Sequence, residues 1–86
     1  MANYSLEIKH SAQKELDALD DFVFRRIDRK ILALADNPRP PGCKKLRAYS
    51  DHWRIRIGNW RVVYLINDED KLVTITRVAH RRQVYD

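Results

Sequence analysis

A two-residue turn between two strand-like segments constrains this chain more than any other feature. Residues 53–57 alternate apolar with basic side chains, residues 60–66 are largely apolar, and Gly58–Asn59 separates them. A two-residue turn that begins with glycine joins antiparallel strands in one register. The sequence therefore predicts a β-hairpin with defined partners across its two strands. The predicted pairs are Ile57–Trp60, Arg56–Arg61, Ile55–Val62 and Arg54–Val63.

The predicted hairpin has two chemically different faces, because residues opposite each other share a face. Three arginines lie on one face, and no acidic residue occurs between positions 53 and 66. Opposed like charges destabilise a hairpin by a few tenths to about 1 kcal/mol, so we expect an external anion to bind Arg54, Arg56 and Arg61. The alternative is a solvated basic face balanced by distant acids such as Asp51 or Glu69. The other face, the predicted core, carries Trp53, Ile55, Ile57, Trp60, Val62, Tyr64 and Ile66.

The rest of the chain predicts one more strand on each side of a helical pair. Residues 4–9 alternate as a half-buried strand does, and residues 72–79 form a β-branched strand. Two amphipathic helices lie between, one capped by Ser11 and one by Asp20 or Asp21, the second ending near Asn37 before Pro38. Residues 43–52 read as a loop. The apolar positions at helical spacing are Ala12, Leu16 and Leu19 in the first predicted helix and Val23, Ile27, Ile31 and Leu34 in the second.

These elements predict a small α+β fold made of a single domain that spans residues 1–86. An N-terminal strand precedes a two-helix hairpin, and a three-stranded antiparallel meander follows, with the helices on one face of the sheet. Eighty-six residues are enough for two layers of structure and a shallow site, which argues against a deep cofactor cavity.

The charge of the chain favours a polyanionic partner. Lys and Arg number 17 against 12 Asp and Glu, a net charge of +5. From Lys44 to Arg82 there are ten basic and four acidic residues, so the excess lies in the second half. One cysteine, three scattered histidines and the lack of an apolar run of membrane-spanning length predict a cytoplasmic protein without a disulfide, metal or other cofactor.

The motifs together resemble the RelE/ParE superfamily of bacterial and archaeal toxins. The resemblance lies in WRIRIG at residues 53–58, WRVVY at 60–64 and VAHRRQVY at 78–85, with NPR at 37–39 and KLR at 45–47. It covers essentially the whole chain. The family implies a toxin neutralised by a co-expressed antitoxin. Its RelE branch cleaves mRNA in the ribosomal A site, whereas its ParE branch binds DNA gyrase and is not a nuclease.

The resemblance implies roles for particular residues. The two basic positions on the first hairpin strand of RelE-type nucleases match Arg54 and Arg56, and the arginine on the second strand matches Arg61. A C-terminal arginine and tyrosine match Arg81 and Tyr85. In this chemistry the ribose 2′-OH attacks the adjacent phosphate, arginines stabilise the developing charge and the tyrosine stacks on or orients a base.

The residue that removes the proton is not identified by the resemblance. RelE itself has lysines on the first hairpin strand, and arginine is a poor base. His80 is the nearest residue that titrates near neutral pH, and His52 is a second candidate.

The sequence also predicts further phosphate contacts and partners. Additional candidate phosphate-binding residues are Arg77, Arg82, Lys44 and Lys45, although the face on which Arg77 lies depends on an unfixed register. We expect the ribosome, mRNA and a partly acidic antitoxin as partners, and no membrane. The alternatives are a ParE-like toxin that binds gyrase and a non-toxic basic module that binds RNA.

Overall fold

The computed structural model describes residues 3–47 and 51–81. It contains two helices and five strands in the predicted order, which confirms the α+β class. The one additional element is a short strand within the segment predicted as a loop. The elements are β1 (Ser5–Ile8), α1 (His10–Asp17), α2 (Asp21–Ala33), β2 (Lys44–Lys45), β3 (His52–Ile57), β4 (Trp60–Asn67) and β5 (Leu72–His80).

The two helices begin in different ways. The Asp20 side chain accepts a hydrogen bond from the Val23 backbone N–H at 2.9 Å, which confirms the predicted N-cap of α2. The predicted Ser11 cap is wrong, because α1 begins at His10 and Lys9 is its N-cap without a side-chain bond. The backbone N–H of Lys9 donates to the Ile75 carbonyl at 2.9 Å. The sheet therefore positions the start of α1, and a capping side chain is not needed.

The sheet is mixed rather than wholly antiparallel. Its strand order is β1-β5-β4-β3-β2, and β1 runs parallel to β5 while the other pairs are antiparallel. Parallel pairing needs a long connection, and the helices and hairpin between β1 and β5 supply one. The predicted three-stranded antiparallel meander is confirmed in β3, β4 and β5, and β1 joins its edge as a parallel strand.

The hairpin register is the predicted one. Ile57 pairs with Trp60, Arg56 with Arg61, and Arg54 with Val63. Gly58 has a φ of +60°, a conformation that L-residues with a Cβ rarely adopt. This single glycine allows the tight turn, and the turn fixes which side chains share a face.

The helices cover one face of the sheet and enclose the main core. The predicted core face of the hairpin is confirmed, with Trp53, Trp60 and Ile66 only partly buried at its margin. Tyr64 is fully buried, and its hydroxyl donates to the Pro38 carbonyl at 2.7 Å. The core consists of Ala12, Leu16, Ile27, Ile31, Leu34, Ile55, Ile57, Val62, Tyr64, Val73, Ile75 and Val78.

The opposite face of the sheet is also partly buried. Leu46, Val63 and Ala79 form a second, small apolar cluster there. The side chain of Arg54 lies among the most buried in the protein, with 2% of the residue exposed. The alternative of a solvated basic face therefore does not hold at Arg54, which is buried on the same face as this apolar cluster. No helix in the described ranges is long and apolar enough to span a membrane.

Candidate functional site

The sheet face turned away from the helices carries two rows of basic residues, which we call the arginine face. Cα partners across a sheet lie about 5 Å apart and share a face. One row runs from Lys44 through Arg54 and Val63 to Arg77. The second row runs from Arg56 through Arg61 to Ala79. Five cationic residues from four strands are thus aligned on one face.

Backbone contacts hold Arg81 beside the second row. The Arg61 guanidinium donates through Nη1 to the Arg81 carbonyl at 3.1 Å. The Arg81 N–H donates to the Asn59 carbonyl in the hairpin turn at 2.7 Å. The end of β5 is therefore fixed against the turn, and the two arginines predicted to stabilise phosphate charge are neighbours.

Arg54 and Arg56 differ sharply in their surroundings although they are two residues apart. Arg54 is buried, whereas Arg56 is exposed. Charge–charge interactions strengthen as water is excluded. An anion at this face would meet one cation fixed in the protein body and others, Arg56 and Arg61, that reach it from a wetter surface.

A β-bulge decides the side on which Arg77 lies. Tyr64 pairs with Ile75, but Val63 pairs with Arg77, so β5 has one extra residue at Thr76. The Thr76 hydroxyl donates to the Val63 carbonyl at 3.1 Å. Without the bulge Arg77 would lie opposite Val62 on the helix-covered face. The bulge instead places Arg77 on the arginine face. From there its side chain reaches around the edge of β5 towards α1, with Nε 3.7 Å from a Glu15 carboxylate oxygen.

The two candidate histidines lie on opposite faces. His52 pairs with Leu65 and shares a face with Arg54, two residues further along β3. His80 pairs with Trp60, and the two rings meet edge to face with centroids 5.6 Å apart. The register therefore separates His80 from the arginine face and places His52 on it, at the end of β3 away from the hairpin turn that Arg81 contacts.

The remaining predicted site residues are divided. Lys45 pairs with Trp53 and so has the opposite orientation along β2 to Lys44. Arg82 and Tyr85 lie outside the described residues. Within residues 3–47 and 51–81, no group of three or more His, Cys, Asp or Glu side chains is arranged to hold a metal ion.

At the far end of the sheet, Asp68 connects two side chains from other segments of the chain. Asp68 accepts from the Tyr4 hydroxyl at 2.6 Å and pairs with Arg39 at 3.0 Å. The hydrogen bond from Arg39, followed by that from Tyr4, lowers the pKa of the Asp68 carboxyl. Arg39 also lies over the Trp53 ring, 5.1 Å from its centroid. This network joins the N-terminal segment, the segment after α2 and the β4–β5 loop.

Comparison with known proteins identifies the fold and its family. Residues 6–85 match the family model described as the ParE toxin of the parDE type II toxin–antitoxin system. The chain belongs to the RelE/ParE family of toxins. It is 28% identical over 82 residues to a RelE-like toxin protein of Escherichia coli, covering 93% of this chain and 85% of that one.

Solved structures of RelE toxins have the same fold. The RelE–RelB complex of Pyrococcus horikoshii superposes with a TM-score of 0.82 at 28% identity, over 95% of this chain and 99% of that one. The RelBE2 toxin–antitoxin complex of Mycobacterium tuberculosis gives 0.81 at 27% identity, over 92% and 99%. The chain is thus a RelE-like toxin of a toxin–antitoxin system.

Proposed function

We propose that this toxin is an endoribonuclease that cleaves mRNA, acting in the ribosomal A site without a metal. The observation that carries the proposal is the arginine face, where Arg54, Arg56 and Arg61 are aligned and Arg81 is held against Arg61. Several guanidinium groups converging on one surface suit the oxygens of a phosphodiester. The cleavage would inhibit translation.

The proposed chemistry is transfer of the phosphate within the RNA. The ribose 2′-OH loses its proton and attacks the adjacent phosphorus, and the bond to the 5′-oxygen of the next nucleotide breaks. Negative charge grows on the phosphoryl oxygens, and arginines at fixed positions stabilise it without reorganising. Arg61 and Arg81 are the proposed phosphate stabilisers, with Arg54 and Arg56 as positioning cations and Tyr85 as the group that orients a base.

Two imidazoles are the candidates for the group that accepts the 2′-OH proton, because arginine does not accept a proton under physiological conditions. His52 shares the arginine face but lies four residues along β3 from Arg56, about 13 Å away. His80 is next to Arg81 in sequence but lies on the face that also carries Trp60. A general base has to come within hydrogen-bond reach of the proton it removes, so variants of the two histidines decide between them.

An antitoxin is the proposed partner in the cell. The solved RelE chains with this fold include complexes with RelB antitoxins. A segment that masks the arginine face has to be acidic in part, because it meets a surface of positive charge. The proposed targets, mRNA and the ribosome, place the toxin in the cytoplasm.

A second candidate is a ParE-type toxin that binds DNA gyrase. The family match to ParE toxins favours it. Since one fold serves both activities, the fold does not choose between them. The alignment of the arginines that correspond to RelE catalytic positions favours the nuclease.

Primer extension on cellular mRNA after brief induction of the toxin alone tests the proposal. Cuts inside translated codons that vanish when ribosomes are removed are the expected result. Arg61→Ala should lower the cleavage rate about 100-fold or more, while Arg25→Ala, an exposed arginine on α2, should not. Intact mRNA with a DNA-damage response would select the gyrase candidate instead.

A further inference from the structure

A groove beside the arginine face has the chemistry of a second RNA-contact site. It has a volume of about 440 Å³ and lies between the last turns of α2, the segment of residues 40–44 and the outer edge of β3. A volume of this size is typical of small-ligand pockets. Its lining residues are Lys30, Ala33, Leu34, Pro40, Pro41, Gly42, Lys44, Arg54, Ile55 and Arg56.

The lining combines an apolar floor with a positive rim. Ala33, Pro40 and Pro41 supply accessible apolar surface. Four side chains of the lining are cationic, and of these Lys30, Lys44 and Arg56 are exposed. None of the described lining residues is acidic. Grooves that bind single-stranded nucleic acid pair positive charge along the backbone with surfaces on which bases lie. The lining thus fits a nucleotide better than a neutral ligand.

The backbone of β3 adds polar groups to the same groove. β2 pairs with β3 only at Trp53 and Arg54 and ends before Arg56. In a hairpin closed by the Ile57–Trp60 pair, the N–H and C=O groups of Arg56 point away from β4. They therefore face the groove, where an N–H can donate to a phosphate or a base.

Continuity with the arginine face identifies the occupant. Arg54 and Arg56 belong to both surfaces, and Lys44 is the Cα partner of Arg54. An RNA strand with one phosphate at Arg61 carries further phosphates on both sides of it. A strand that crosses β3 towards α2 meets Lys44 and Lys30 next.

We propose that this groove binds a nucleotide of the RNA that flanks the cleaved phosphate. The inference rests on the proposed function and extends it from the cleaved bond to a neighbouring position. Lys30, Lys44 and the Arg56 backbone hold the flanking nucleotide, and Ala33 and Pro41 provide the surface for its base. The groove thereby lengthens the contact between toxin and RNA beyond the cleavage site.

The test compares the affinity of the toxin for a trinucleotide and a nonanucleotide of the same central sequence. Both are 2′-O-methylated, so that the proposed reaction is blocked. Lys30→Gln/Lys44→Gln removes two charges from the groove, and Lys9→Gln/Lys14→Gln removes two exposed charges elsewhere. Thermal unfolding of each variant verifies that the fold is retained.

The groove variant should bind the nonanucleotide about threefold to tenfold more weakly than wild type. The magnitude of its slope of log K against log salt concentration should fall by about 1.4, corresponding to two single-strand phosphates. The control variant has the same net charge as the groove variant. It should keep more of the wild-type ratio between the affinities for the nonanucleotide and the trinucleotide.

Three results would overturn the inference. In the first, wild type and groove variant bind the nonanucleotide with equal affinity while both bind the trinucleotide. That result would show that the groove does not bind RNA, and it would leave the proposed function intact. Failure of wild type to bind either RNA would overturn the groove inference, whereas the proposed function is decided separately by the primer extension on cellular mRNA. An acidic peptide of alternating Glu and Leu that binds wild type but not the groove variant, with RNA affinities unchanged, would make the groove a peptide site.

Discussion

The two faces of the sheet bury different kinds of side chain. The helix-covered face buries apolar side chains against α1 and α2, in the alternation expected of a half-buried strand. The arginine face buries a much smaller apolar cluster of Leu46, Val63 and Ala79, and with it the charged residue Arg54. The first face specifies the fold, whereas the second combines packing with charge.

This difference shows that a sheet face rich in charged residues need not be an open surface. Val63 lies between Arg54 and Arg77 in one row and separates the two charged side chains. Apolar neighbours exclude water and raise the strength of charge interactions. The small cluster thus lies between the arginines and makes their surroundings less polar.

The largest expected effect separates the two faces by their histidines. The variant that removes the general base, His52→Gln or His80→Gln, should lower the rate of RNA cleavage about 100-fold or more, and the other variant should leave it within a few-fold. Cleavage of the same RNA by wild type and by both variants measures the difference. A loss confined to His52→Gln assigns the step to the arginine face, and a loss confined to His80→Gln assigns it to the face that carries Trp60. Equal rates for wild type and both variants would exclude a histidine base.

Arg54 and Arg56 test whether the arginine face also stabilises the fold. Arg54→Ala should lower the free energy of unfolding by about 2–4 kcal/mol, because it empties a buried site. Arg56→Ala should change it by no more than about 0.5 kcal/mol, since Arg56 is exposed. Urea unfolding of both variants measures the difference. Equal losses would mean that burial does not distinguish the two positions.

Tyr64 tests a polar group within the helix-covered face. Tyr64→Phe should cost about 1–2 kcal/mol, because the Pro38 carbonyl loses its buried donor. Burial, and then the neighbouring Cys43, raise the pKa of the Tyr64 hydroxyl above its usual value near 10. The unfolded chain therefore ionises first as pH rises.

The stability of wild type should fall above pH 10 by up to about 1.4 kcal/mol per pH unit more than that of Tyr64→Phe. Urea unfolding between pH 8 and 11 measures this. Tyr4→Phe serves as the control and should retain the alkaline decline. Parallel curves for wild type and Tyr64→Phe would exclude Tyr64 as its source.

The sequence is informative about the fold wherever a pattern repeats within one element. The Gly58 turn and the alternation around it are sufficient for the hairpin register and for both of its faces. The apolar spacing from Val23 to Leu34 is sufficient for α2. The strand β2 was not predicted, because its two residues are too few to show a period.

The site was less predictable because parts of it depend on tertiary contacts. A bulge at Thr76 sets the face of Arg77, and a shift of one residue reverses side-chain direction along a strand. The burial of Arg54 arises on a face assembled from four strands, and no local sequence pattern indicates it. The groove includes Lys30 from α2, which no local motif connects with Arg56.

The smallest expected effect lies outside both faces, at Asp68. Asp68→Asn removes a charge that pairs with Arg39 and accepts from Tyr4, whereas the exposed Glu69→Gln next to it serves as the control. Because the folded pKa of Asp68 is lowered, its stabilisation is present above the ordinary carboxyl pKa near 3.9 and is lost as pH falls through the folded value. The difference in unfolding free energy between wild type and Asp68→Asn should be constant from pH 5 to 8 and shrink below pH 4. A difference that kept its size at low pH would show that the charge of Asp68 contributes nothing, and that the network stabilises the sheet end by shape alone.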